Sequence, residues 1–327
     1  MTARIILIVT VVTIALSHSM SHTIGHAEDN VDRVNTISYD EERGVIVGSS
    51  NGVKVGEQET IRLGYVKELA LAPNTDAAWI SSDNGLLQID LETGALNWVV
   101  PNVPASSLAV DAEGGLWVGT NGWGILHVSP DKEASDDEQQ TCGTDYACDW
   151  FTMSNGIPSN NIISTFTSKD GSIWSGTPEG AAVYNGTAWN PVEDLKGRWV
   201  YTFAEVEQQV FAGTDDGVFV KTTDANKWQQ LKETKGQIIS TMLPVDENFY
   251  AVTIDGSLVR YEPSATFSWT VPVNWNFPNI SGEASNKRVT SMVSPGIEEQ
   301  YVVLGYSDGT IKAFDKPGWE TILRMIP

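Results

Sequence analysis

One phrase returns seven times along this chain: an apolar run carrying an aromatic, a small polar pair, a turn closed by glycine, and a second apolar run. It reads VIVGSSNGVKV at 45–55, AWISSDNGLLQI at 78–89, LWVGTNGWGILHV at 116–128, IWSGTPEGAAVY at 173–184, VFAGTDDGVFV at 210–220, YAVTIDGSLVRY at 250–261 and VVLGYSDGTIKAF at 302–314. The turn glycines are Gly52, Gly85, Gly122, Gly180, Gly217, Gly256 and Gly309. Their spacing averages about 43 residues, the period of a propeller blade. No segment sustains a 3.6-residue apolar period, which excludes helical solenoids; short runs rich in Val, Ile, Phe, Trp and Tyr between Gly, Asn and Asp read as strands.

Each repeat divides into four short strands. In the fourth copy these are 160–168 at the inner edge, the runs on either side of Gly180, and 187–192 at the outer edge. The predicted fold is all-β, a seven-bladed β-propeller of four-stranded antiparallel blades. Asn or Asp precedes six of the seven turn glycines, as hairpin chemistry asks, so these acids are read as turn residues rather than ligands. Trp79, Trp117, Trp174, Phe211 and Tyr250 recur in the second strand and are expected to pack between blades, as are the outer-strand residues Trp98, Trp150, Trp189, Trp228, Trp269 and Trp319. Trp123, Trp199 and Trp275 fall outside both series. The copies run from an inner strand near 31–38 to an outer strand at 319–323, which predicts closure of the ring by side-chain packing between the last blade and the first.

Residues 1–27 read as an export signal, with one basic residue (Arg4), a 12-residue apolar run at 5–16 and small residues at 25–27. A membrane span needs about 20 apolar residues, so no membrane insertion is expected after signal cleavage, and 28–327 are assigned to the propeller in a secreted or periplasmic location. The formal charge of -22 and the lack of any basic cluster exclude nucleic acid as a partner. Such acidity favours cations, Ca2+ among them, and the most acidic stretch carries Asp131, Glu133, Asp136 and Asp137 as candidate metal ligands. Cys142 and Cys148, the two cysteines of the chain, share one loop, and in an oxidising compartment they are expected to bond to each other.

The segment NGIPSNNIISTFTSKDGSIWSGTPEGAAVYNG (155–186) resembles the two-component regulator propeller repeat, through Ile157, Pro158, Ser159, Asn160, Asp170, Gly171, Trp174, Gly176, Thr177 and Gly180. The third copy, at 102–124, is the next best match. The resemblance implies a periplasmic ligand-sensor propeller of the kind joined to hybrid histidine kinases and linked to saccharides. This chain ends at residue 327, 18 residues past Gly309, so the expectation is a stand-alone exported propeller without a kinase, of which the binding architecture is what carries over.

Catalytic signals are thin. His127 is the one histidine after the export signal, and the Gly-x-Ser-x-Gly at 48–52 lies in a hairpin instead of a strand-to-helix elbow. The chain is therefore expected to be no enzyme and to need no cofactor. It reads as a binding or interaction module for a carbohydrate or protein ligand at the funnel mouth, with Asn160, Asn161, Trp123 and Trp275 as its contacts. Aromatic faces stack on sugar rings or apolar groups, and amides donate and accept together. An acidic extracellular matrix or Ca2+-associated structural protein is the alternative, and a lyase or glycosidase-like propeller enzyme the third reading.

Overall fold

A computed structural model describes residues 22–23, 33–40, 43–56, 58, 60–72, 75–129, 141–142, 146–221, 227–245, 248–254, 258–261, 289–294, 301–309 and 311–315. Their strands form antiparallel sheets that follow one another along the chain, at 34–62, 66–101, 105–151, 164–191, 200–230, 239–261 and 289–315. They are called the first to the last sheet below. The first five are complete from inner to outer strand; the sixth shows three strands among the described residues. The all-β expectation holds, and the described residues include no α-helix.

The sheets stack face to face around an axis, so their middle strands are buried on both faces. Leu116–Thr120 and Ile173–Thr177 are buried throughout, whereas Leu96–Pro101 on an outer edge is mostly exposed. The core is accordingly split among the seams between sheets. One apolar cluster joins Trp79 and Leu86 of the second sheet to Leu108 and Leu116 of the third; another joins Trp117 and Ile125 of the third to Ile173 and Trp189 of the fourth. Val34, Ile37 and Val47 of the first sheet pack on Val303 of the last, so the ring closes.

The repeated phrase has a local cause. In each of four copies the hydroxyl that ends the second strand donates to the carbonyl of the turn glycine: Ser49 to Gly52 and Ser82 to Gly85 at 3.0 Å, Thr177 to Gly180 and Thr214 to Gly217 at 2.8 Å. The same oxygen accepts the N–H two residues on, so one side chain locks the hairpin. The third copy corrects the sequence reading. There Thr120 Oγ1 donates to the carbonyl of Gly124 at 2.7 Å, and Gly124, not Gly122, closes the turn. A Cβ on Gly124 would strike the carbonyl oxygen of Phe151, as one on Gly85 would strike that of Val100, while Gly122 faces open space. The turn is one residue longer than its counterparts, and Trp123 sits in the extension.

Closure also differs from expectation. His22–Thr23 pairs antiparallel with Ile311–Asp315, with His22 opposite Ala313 and Thr23 opposite Lys312, so a strand from the N-terminal side completes the last sheet. An outer strand left alone presents unpaired N–H and C=O groups, and this pairing satisfies them. Hydrogen bonds reinforce the packing at the seam: Thr290 Oγ1 donates to the Val34 carbonyl at 2.6 Å and Ile37 N to Ser291 Oγ at 3.0 Å. Segment 319–323 lies outside the described residues.

The third sheet carries a fifth strand, Thr141–Cys142, paired with Tyr146–Phe151, where four strands were expected. Of the aromatic series, Trp79, Trp117, Trp174, Phe211 and Tyr250 are all buried as expected. The outer-strand series divides. Trp189 and Trp228 are buried in the seam clusters of their sheets, but Trp98 and Trp150 join no seam cluster and are exposed. Trp269 and Trp319 lie outside the described residues.

Candidate ligand-binding mouth

Inner strands of six sheets share an irregularity at the same place. Their ladders slip between Val34 and Thr36, Val66 and Glu68, Ala105 and Ser107, Val200 and Thr202, Ile239 and Thr241, and Val289 and Ser291. The skipped residues, Asn35, Lys67, Ser106, Tyr201, Ser240 and Thr290, leave the ladder and line an axial channel of about 610 Å3. Three of them bond across to the carbonyl of the next sheet's first inner residues: Asn35 Nδ2 to Val66 and Ser106 Oγ to Ile162 at 2.7 Å, and Thr290 to Val34 as above. Lys67 instead forms an ion pair with Asp83 at 2.7 Å.

The residue after each slip is Thr36, Ser107, Thr202, Thr241 or Ser291, and in the second sheet it is Glu68. Glu68 Oε2 accepts the N–H of Leu108 on the third sheet at 2.7 Å, the task that Ser291 performs for Ile37. Hemmed in on the channel wall, its carboxyl is pushed by desolvation up to about 7, against the pull of the Leu108 N–H.

At the long turn of the third sheet, away from the channel lining, three of the four sequence-predicted contacts come together. The Asn160 carbonyl accepts the N–H groups of Gly122 at 3.1 Å and Gly124 at 2.9 Å, which fixes the long turn, and Asn161 bridges to Asn121. Asn160 Oδ1 accepts from Met153 N at 2.9 Å, so part of its side chain is spent on the loop. Trp123 is 54% exposed, and its ring lies 6.2 Å from that of Trp150, tilted by 42°. The two rings make an apolar ledge on the third sheet.

Trp275 and the acids Asp131, Glu133, Asp136 and Asp137 lie outside the described residues. Among the described residues no cluster of three His, Cys, Asp or Glu could hold a metal, and no cysteine is free. His127 is engaged in packing: its ring stacks on Trp117 at 4.1 Å and Nε2 lies 3.1 Å from Asp111 Oδ2. Sequence reasoning missed Trp150, Glu68, Tyr65 and Lys67. The signal for the last three is their constant offset from the start of an inner strand.

The sequence model of the family described as two component regulator propeller matches residues 100–122, from the end of the second sheet into the third copy. No curated protein sequence matches the chain. Among solved structures, the extracellular domain of the putative hybrid two component system BT4673 from B. thetaiotaomicron superposes with a TM-score of 0.69 at 18% identity, over 91% of this chain and 40% of that one. The corresponding domain of BT3049 from the same organism gives 0.66 at 15% identity, over 87% and 40%. The chain thus spans 40% of the length of those two domains. A virginiamycin B lyase from Staphylococcus aureus gives 0.64 at 8% identity, over 90% and 98%. Described strands, seams and neighbours agree that this is a propeller, and residues 100–122 match the two component regulator propeller repeat that the sequence resembles.

Proposed function

We propose that this chain is an exported, seven-bladed propeller that binds a carbohydrate or protein ligand at its funnel mouth without catalysis. The observation that carries the reading is the lengthened turn of the third sheet. Its extra residue, Trp123, is held out by Asn160 and Thr120 beside Trp150, and nothing in the hairpin chemistry requires it there. An exposed indole pair on a rigid turn offers apolar area at little entropic cost, the property that makes aromatics effective at recognition surfaces. The neighbours described as extracellular domains of two component systems support a binding role, and Arg4 with the apolar run at 5–16 supports export, any cleavage falling before His22, whose strand belongs to the last sheet.

Binding of the full chain to an immobilised oligosaccharide and peptide array tests this reading. A ligand lost in Trp123→Ala and in Trp150→Ala, with unchanged melting temperature, is the expected result; binding indifferent to both would remove the ledge from the site. The same preparation tests the proposed bond between Cys142 and Cys148, which should leave no thiol to alkylate before reduction.

A further inference from the structure

A second cavity of about 610 Å3 opens beside the axial channel, at the lead-ins of the first, second, sixth and last sheets. The two share Asn35, Lys67, Ser240 and Thr290. Its lining holds two cations, Arg33 and Lys67, and no Asp or Glu, in a chain with 42 acidic residues against 20 basic ones. Arg33 is exposed and has no acidic partner among the described residues. Lys67 meets Asp83, whose side chain is 62% exposed, so this pair is solvated and weak enough to share its ammonium.

The rest of the wall is of two kinds. Asn35, Thr290 and Ser240 donate to the carbonyls of Val66, Val34 and Val252, and so present acceptor oxygens to the cavity beside the Thr253 and Ser307 side chains. Tyr65 and Ile254 stand exposed on the cavity and supply apolar area, with Tyr65 able to stack on a ring. A volume of this size suits a small ligand. Because the protein's overall field repels anions, an acid-free wall with two cations is a local reversal that only an anionic ligand would use.

Resting on the reading that the mouth binds a ligand, we infer that this cavity takes a sugar-sized polyhydroxy carboxylate. Its carboxylate engages Arg33 and Lys67, its hydroxyls meet the Ser, Thr and Asn side chains, and Tyr65 covers a ring face. Neutral sugars forgo the two charge-assisted contacts, and amines meet like charge.

Calorimetry on the full chain with glucuronate, glucose and glucosamine as probes tests the inference. Glucuronate should bind at least about 10-fold more tightly than glucose, glucosamine more weakly still, and added salt should narrow the gap. Arg33→Gln and Lys67→Met should each cost glucuronate about 10-fold, at unchanged melting temperature. Equal affinity for glucuronate and glucose, no binding of glucuronate, or glucuronate binding untouched in the double variant would overturn it. If the array still shows a ligand dependent on Trp123, the mouth remains a binding surface and this cavity alone is excluded; if neither experiment shows binding, both readings fall.

Discussion

The third and fourth sheets are built on one plan with different fillings. Each buries a tryptophan of its second strand, Trp117 or Trp174, in the seam to the next sheet, and each anchors the indole N–H six residues back along the chain. Trp117 Nε1 donates to Asp111 Oδ2 at 3.0 Å, and Trp174 Nε1 to Ser168 Oγ at 3.2 Å. Above these sockets the two diverge. His127 stacks on Trp117, while Lys221 of the fifth sheet lies 5.1 Å over the ring of Trp174. The fourth sheet's turn closes at Gly180 without an excess residue, and the third sheet's closes at Gly124 with Trp123 displayed. Packing positions therefore repeat, and departures from the repeat fall where the chain meets solvent.

The largest test of this division is the contrast between two tryptophans of the third sheet. Trp117→Ala should destabilise by about 4 kcal/mol, since it empties a seam shared with Ile125, Ile173 and Trp189. Trp123→Ala should leave the urea midpoint almost unmoved. A large loss of stability at Trp123 would mean that the extended turn is architecture and would dissolve the proposed site.

Next in size is the pair of glycines in the same turn. Gly122 at φ 95° and Gly124 at φ 90° both occupy the left-handed region, so alanine strains each by about 1 kcal/mol. Gly124→Ala adds a collision with the Phe151 carbonyl and should cost about 2 kcal/mol more than Gly122→Ala in equilibrium unfolding. Similar costs at the two positions would restore Gly122 as the closing residue.

That correction shows which parts of the fold are legible in sequence. A hydroxyl, a turn and a glycine interact within five residues, so the hairpins and their number are visible, although the inserted Trp123 made the first Gly of NGWG look like the closing one. The pairing of His22–Thr23 with Ile311–Asp315 is set by the ends of the ring meeting in space, which no local pattern announces. Trp98 and Trp150 share the phrase position of the buried Trp189, and only the seam cluster that Trp189 joins with Trp117, Ile125 and Ile173 distinguishes them, a contact between sheets that the phrase does not announce. Of the site, Trp123, Asn160 and Asn161 were legible because they interrupt a repeat; Arg33, Tyr65 and Lys67 were not, because four separate sheets assemble the cavity they line.

The two indole anchors give a smaller contrast. Asp111→Ala strips acceptors from Trp117 Nε1 and from Gly115 N, which donates at 2.6 Å, and removes the partner of His127. Ser168→Ala strips one from Trp174 and a donor to the Asp170 carboxylate at 2.6 Å and the Ser172 carbonyl at 2.9 Å, the carboxylate being an exposed partner. The first should cost about 2 to 3 kcal/mol and the second about 1 to 2 by thermal unfolding, the difference reflecting the loss of a charged acceptor. Equal losses would show that the carboxylate adds nothing over a hydroxyl in this socket.

The seams that join these sheets to their predecessors differ in the same way, and here pH separates them. Into the fourth sheet the link is neutral, Thr165 Oγ1 to Ser107 Oγ at 3.2 Å; into the third it is the Glu68 carboxylate on Leu108 N. Glu68 titrates near 7 in the folded protein against an ordinary value of 4.5, so between these limits the folded state holds a proton that the unfolded chain has released. Its contribution is fully present below pH 4.5 and is lost as the pH rises through 7, a fall of about 2 kcal/mol once channel water has softened the desolvation. In Glu68→Gln the amide oxygen can still accept the Leu108 N–H, so this component of the slope should vanish and the variant should exceed the wild type in stability at pH 8. A wild type and variant with parallel stability profiles from pH 5 to 8 would mean that water in the channel solvates the carboxylate as fully as bulk solvent does.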